Sequence, residues 1–339
     1  MNVFPPRDAD PFNRLRPALA LALALLVSVS APSGAFAQQA HYSPYVSPYS
    51  VNYSCSQNSL TFDFNTSPRN DYTQASNTPF AQWYDQNNYP VHNPNNNNTT
   101  SASWGPWPAN YPWVTVPSGL SSPCDAVTWK RERVLRVAQE YIGYNYQHHH
   151  IPDFNPYASK PAWPASNPAV LVNYPTPGID CSDFSSWNYN FGLGIVLSTA
   201  VPEQGLTTTP VYYGQGGSTV TPVAVVPSGA GLTYQQLCDT LRVGDLLYIN
   251  NEQGTVSHVI MWLGLKGQDA NNQDDWLVID SHDNSPAVVD SNNVTIPPGV
   301  HIRPFRQNEW YFTSFDHALR IIPDVVAPGS ITLLLENNQ

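Results

Sequence analysis

Three apolar segments in tandem between residues 241 and 282 constrain this chain more than any other feature. Leu241-Arg242-Val243-Gly244-Asp245-Leu246-Leu247-Tyr248-Ile249 reads as a turn entering a strand. Ser257-His258-Val259-Ile260-Met261-Trp262-Leu263-Gly264 is a second strand that opens on a histidine, and Trp276-Leu277-Val278-Ile279-Asp280-Ser281-His282 is a third that closes on Asp-Ser-His. Short runs of this kind, rich in β-branched and aromatic residues and bounded by turn formers, read as strands. The turn pairs Asn250-Asn251, Lys266-Gly267 and Asp283-Asn284 predict an antiparallel meander. A final apolar strand, His317-Ala318-Leu319-Arg320-Ile321-Ile322, would close the sheet.

Upstream, the period changes. Val134, Val137, Ala138, Tyr141 and Ile142 make a helical apolar face that ends at Gly143. A second helix follows Gly178-Ile179-Asp180-Cys181-Ser182-Asp183, in which Phe184, Trp187 and Phe191 recur at three- and four-residue steps. Pro177 and Gly178 block helix before it, Asp180 is a good N-cap, and Gly192 and Gly194 stop it. Helices on one side and an antiparallel sheet on the other make an α+β fold.

Cys181 therefore falls in the first turn of a helix, where free N–H groups and the helix dipole favour a thiolate. A helix carrying a thiol, followed by strands carrying His258 and then Asp280 and His282, can assemble a nucleophile, a base and an orienter. Asp280 and His282 alternate on one strand and share a face, so either can reach His258, one as carboxylate and the other as imidazole. A buried structural cysteine, or half of a disulfide, is the competing reading of Cys181.

The order Asp-Cys-Ser, Leu-x-x-Gly-Asp-Leu, Ser-His-Val-x-x-x-Leu-Gly resembles the NlpC-type cell-wall cysteine peptidases, papain-like enzymes that cut the stem peptides of bacterial peptidoglycan. The similarity spans roughly residues 125–322. It implies a papain-like α+β domain with Cys181 as nucleophile, His258 as base and His282, by residue type, as third member, with Asp280 the alternative. Tyr141-Ile142-Gly143-Tyr144-Asn145-Tyr146 resembles the family's Leu-Gly-x-x-Tyr segment, which implies a substrate or oxyanion role for Tyr146. Asp180 and Ser182 inherit by resemblance the binding of the stem peptide's free amine, beside a capping role. The chain departs from the family in Asp183, where the family usually has Gly, and in His148-His149-His150 near the position of its Trp-Gly-Gly. Two insertions, between Tyr146 and Cys181 and over roughly 198–236, are placed to wall the cleft.

The first 37 residues read as a secretory signal: Arg14 and Arg16, an apolar run from Ala18 to Val29, then Ala35-Phe36-Ala37. The run is too short to span a bilayer, and cleavage near Ala37 would give a secreted or periplasmic protein without stable membrane insertion. A net charge of −11 with 14 Lys and Arg excludes nucleic acid as an expected partner. Four cysteines in an oxidising compartment leave Cys55–Cys124 as the favoured bridge and Cys238 as a buried thiol, with Cys238 pairing to either as the alternative. Adjacent histidines cannot converge on one ion, so no metal and no cofactor is expected.

These features divide the chain into a signal (1–37), an Asn/Pro/aromatic-rich extension (38–122), a catalytic domain (123–322) and a tail (323–339). Trp83, Trp104, Trp107 and Trp113 give the extension more aromatic weight than a linker carries. Packing on the domain is favoured over glycan binding. The expected function is a monomeric, secreted cysteine hydrolase of peptidoglycan stem peptides. The alternatives are a non-catalytic wall or glycan binder on the same fold, and a thiol hydrolase or acyltransferase with another substrate.

Overall fold

The computed structural model describes residues 43–58, 60, 114–146, 179–198, 200–206, 211–213, 219–220 and 222–324. The signal segment, the four tryptophans of the extension, His148-His149-His150 and the tail beyond Asp324 lie outside these residues.

A six-stranded antiparallel sheet organises the molecule. Its strands are β4 (Val223–Val226), β5 (Leu246–Asn250), β6 (Val256–Gln268), β7 (Asp274–His282), β8 (Gly299–Phe305) and β9 (Phe315–Arg320), in the spatial order β4-β9-β5-β6-β7-β8. β5 to β8 form the meander, and β9 returns to pair with the free edge of β5. A smaller sheet joins β1 (Ile195–Val196), β2 (Val211–Tyr213) and β3 (Thr219–Val220), within and just ahead of the second insertion. The α+β class expected from the pattern is the one observed.

Alternation assigns the two faces of the large sheet. Val259, Met261, Leu263, Leu277, Ile279, Val300 and Ile302 face α1 (Ala126–Glu140) and α2 (Cys181–Leu193), and share a core with Val134, Val137, Ala138, Phe184 and Trp187. Ile260, Trp262, Val278 and Phe305 face the other way. They meet Leu237 and Cys238 of α4 (Tyr234–Thr240) and Tyr311 of α5 (Trp310–Thr313). Short helices on this second face are an addition to the one-sided arrangement expected. A further short helix, α3 (Val201–Gln204), follows β1.

Two other expectations shift. Lys266 and Gly267 lie inside β6, paired with Trp276 and Asp275, and do not form its turn. The reversal comes at Asp269, whose carboxylate accepts the main-chain N–H groups of Asn271 and Gln273 at 2.8 and 2.7 Å. Gly267 has a packing reason instead: a Cβ there would lie 2.4 Å from the ring of Tyr49.

The described part of the extension contains no helix or strand and packs on α1. Cys55 is disulfide-bonded to Cys124, with Cα atoms 5.0 Å apart, while Cys181 and Cys238 are free and buried. Glu132 of α1, itself buried, accepts the main-chain N–H of Ser54 at 2.6 Å and of Cys55 at 2.8 Å. Asn58 donates to the Trp129 carbonyl at 2.7 Å, and Arg136 lies 3.9 Å from the Tyr53 ring centre.

Candidate active site

Asp180 caps α2 as its sequence predicts: its Oδ1 accepts the Asp183 N–H at 2.9 Å and the Ser182 hydroxyl at 3.0 Å. Cys181 is thus the first helical residue. Gln204 of α3 fixes this turn from behind, its Nε2 donating to the Ser182 carbonyl, the Ser186 hydroxyl and the Ser198 carbonyl at 3.2, 3.0 and 2.7 Å. The approach to Cys181 is fixed too. The Ser281 hydroxyl donates to the Ile179 carbonyl at 2.6 Å, and Ile179 bridges in parallel to Tyr146. Tyr146 is held in turn because the 143–144 backbone pairs with Val300, through Gly143 N–H to Val300 O and Val300 N–H to Tyr144 O, both 2.8 Å. Gly299 permits that approach, since at φ +111° a Cβ would stand 2.2 Å from the Tyr144 carbonyl oxygen.

Cys181, His258, His282 and Tyr146 line one open cleft of about 460 Å³, together with Asn251, Glu252, Gln253, Ser257, Asp283, Ser285, Pro286 and Trp310. The two strand ends meet the helix start here because β6 opens beside β7's close, as their register requires.

His258 is oriented by a carboxylate. Its Nε2 lies 2.8 Å from Asp280 Oδ2, which leaves Nδ1 as the nitrogen for other work. Asp280 is itself buried and triply held: Arg303 donates to Oδ1 at 2.5 Å, and the Tyr311 hydroxyl donates to Oδ2 at 2.6 Å. Burial alone would raise this carboxyl, but the Arg303 guanidinium and then His258 overcome it and hold it well below the usual carboxylate range. Arg303 is fully buried and also donates to the carbonyls of Pro297 and Gly299, at 2.9 and 3.2 Å.

His282 shares the face with Asp280, as alternation predicts, but takes no part in that chain of contacts. Its ring centre is 5.0 Å from that of His258, its Nδ1 accepts the Asn284 N–H at 3.1 Å, and its Nε2 has no hydrogen-bond partner among the described residues. Burial first, then His258, lowers its pKa to about 3, so it is neutral.

The thiol departs from the expectation of a helix-favoured thiolate. Burial, then Asp180, pushes Cys181 well above its ordinary value, against a backbone hydrogen bond from Val259. Asp183 is pushed up by burial, then by Asp180. Burial and then Cys181 also raise Tyr146. The site therefore holds a thiol beside a neutral phenol.

Arg303, Trp310 and Tyr311 were not foreseen. Trp310 covers both imidazoles, its ring centre 5.4 Å from His258 and 5.5 Å from His282. The available signal was an arginine inside Gly299–Phe305, a run buried at every position, since a buried cation needs a buried anion. Among the described residues no group of three or more His, Cys, Asp or Glu is arranged to hold a metal ion, and no helix is long and apolar enough to cross a membrane.

A scan against protein-family models gives no match, and a search of curated proteins gives none. Among solved structures the chain is similar to the peptidoglycan hydrolase RipB from Mycobacterium tuberculosis, at 18% identity over 62% of this chain and 74% of that one, with a TM-score of 0.33.

Proposed function

We propose that this protein is a thiol hydrolase that cleaves peptide or amide bonds in peptidoglycan stem peptides. The observation that carries the reading is the Cys181 helix start opening on the same cleft as His258, whose far nitrogen is fixed by Asp280. The resemblance of the Asp-Cys-Ser, Gly-Asp-Leu and Ser-His-Val motifs to the NlpC-type peptidases supplies the substrate class.

In this reading His258, through Nδ1, takes the Cys181 proton as sulfur attacks the scissile carbonyl. Main-chain N–H groups at the start of α2 and the Tyr146 hydroxyl receive the developing oxyanion. The imidazolium formed is stabilised by ionised Asp280 and then protonates the leaving amine. Water, deprotonated by His258, hydrolyses the thioester and restores the thiol. Asp280, not His282, is the orienting residue in this scheme, because it makes the contact to His258. Asp180 and Ser182 keep the amine-binding role in addition to capping. The Cys55–Cys124 disulfide supports an oxidising, extracytoplasmic location, with the chain cut near Ala37 and acting as a monomer.

The test is digestion of purified peptidoglycan by the chain from Gln38 beside its Cys181→Ala variant, with released muropeptides read by mass spectrometry. Fragments that require the cysteine are expected, and their masses name the bond. Fragments from neither protein, across walls of differing stem chemistry, would sink the reading. Retention of the inactive chain on insoluble wall would then point to a binder.

A further inference from the structure

Resting on the hydrolase reading, a second assignment concerns His282, which the chemistry above leaves without a task. The residue is only 2% exposed, yet it lines the cleft. Its Nδ1 lone pair is occupied by the Asn284 N–H, so the proton of the neutral ring sits on Nε2. Among the described residues that buried N–H finds no acceptor. Asp283 Oδ1 is 3.8 Å away, beyond hydrogen-bond reach, and no other described group meets Nε2 with hydrogen-bond geometry. Trp310 and His258 pack against the ring and limit its rotation.

A buried donor left unmade is costly, and native proteins keep few of them outside functional sites. Orienting His258 is not its task, since Asp280 already holds that nitrogen. The rest of the lining limits what the N–H can meet. Glu252 and Asp283 are there, and among the described lining residues there is no lysine or arginine. A carboxylate entering beside them would be repelled, whereas an amide oxygen would not.

We propose that His282 contacts substrate: its Nε2–H donates to a neutral amide carbonyl of the bound peptide, and Glu252 and Asp283 keep free carboxylates from that position. His282 is then a specificity element of the cleft.

The experiment compares the chain from Gln38 with His282→Leu, which keeps bulk without a donor, and His282→Gln, which offers a side-chain N–H. Two readouts are taken: kcat/KM on soluble muropeptides with stem carboxylates free or amidated, and the pH profile of Cys181 alkylation by iodoacetamide. Expected are a roughly ten- to a hundredfold loss of kcat/KM in His282→Leu for a lost substrate hydrogen bond, and partial recovery in His282→Gln. The wild type should prefer the amidated fragments. Both variants should alkylate as the wild type does, because iodoacetamide needs only Cys181 and His258.

Unchanged kcat/KM in His282→Leu overturns the proposal, as does an alkylation profile that moves with His282→Leu as it does with Asp280→Asn. Should His282→Leu not fold, nitrogen NMR of His282 in the Cys181→Ala chain decides, since an amidated muropeptide should shift Nε2 and an unmoved Nε2 overturns the proposal. Wild-type chain that releases nothing from any wall defeats the hydrolase reading and this assignment together. Release by the wild type that His282→Leu leaves intact defeats only the assignment.

Discussion

Two buried carboxyl groups, Asp183 near Cys181 and Asp280 on His258, are shifted in opposite directions. Asp280 is 1% exposed and Asp183 is 4% exposed. Burial pushes both upward, yet Asp280 ends far below the usual range and Asp183 well above it. The difference lies in the neighbours. Asp280 faces the Arg303 guanidinium, His258 and the Tyr311 hydroxyl, whereas Asp183 faces another carboxylate, Asp180. The His258 side of the site thus carries a charge on Asp280 that Arg303 holds, whereas on the Cys181 side burial and Asp180 raise both the thiol and Asp183. Burial raises both carboxyls, and the nearest charge decides whether that shift stands, as for Asp183, or is reversed, as for Asp280.

Arg303→Met should break the contrast most severely. It leaves Asp280 buried without its cation, and we expect about 3–5 kcal/mol of lost stability in urea unfolding at pH 7. Adding Asp280→Asn to Arg303→Met should recover part of that loss, because no lone charge then remains buried, but it should not recover activity. Asp280→Asn alone should lower kcat/KM by about 10²–10⁴, with His258 left without a charged orienter. Alkylation of Cys181 should slow with it.

The two carboxyls also differ in the sign of their pH dependence. Asp280 has a depressed folded pKa, so its contribution to stability is present above the unfolded value of about 4 and is lost as pH falls through the lower folded one. Asp183 has a raised folded pKa, so its contribution is full below about pH 4 and is lost as pH rises through the folded value. Asp183→Asn should therefore raise Tm at pH 7, by about 2–4 °C for each kcal/mol relieved, and flatten the decline above pH 4. Thermal unfolding between pH 3 and 8 would measure both.

Asp180→Asn should have the smallest effect and the most pointed one. Asparagine caps as well as aspartate, so stability should move by less than about 0.5 kcal/mol. The charge beside Cys181 is gone, however, and the thiol should titrate lower. Iodoacetamide should then modify Cys181 faster at pH 7. A slower reaction would mean that Asp180 assists the thiolate and that its charge does not hold the thiol up.

Four of the sheet's six strands, β5, β6, β7 and β9, were legible because they are local apolar patterns, whereas β4 and β8 were not read. The α2 cap was legible for the same reason, as the Asp180 N-cap contact spans three residues. Alternation also put Asp280 and His282 on one face. What the pattern could not choose was which of them reaches His258, because Arg303 and Tyr311 make the choice from elements 23 and 31 residues away. The direction of the Cys181 shift was equally hidden. A helix N-terminus can be read from six residues, but burial depends on what the rest of the chain lays over them. The true β6–β7 turn was missed because Lys266-Gly267 looks like a turn until Tyr49, more than two hundred residues upstream, is seen to need the space.

The buried Glu132 has a bearing on where this protein can be cut. Its carboxylate is met by main-chain N–H groups of Ser54 and Cys55, from the extension, and the Cys55–Cys124 bond ties that stretch to the start of α1. A recombinant fragment trimmed to the compositional border near residue 122 would take both donors away and bare to water the apolar surface that Tyr49, Val51 and Tyr53 cover. Such a fragment should be poorly soluble even though every cleft residue is retained, and fragment libraries of this protein should show their break in yield upstream of Ser54 rather than at the border of composition.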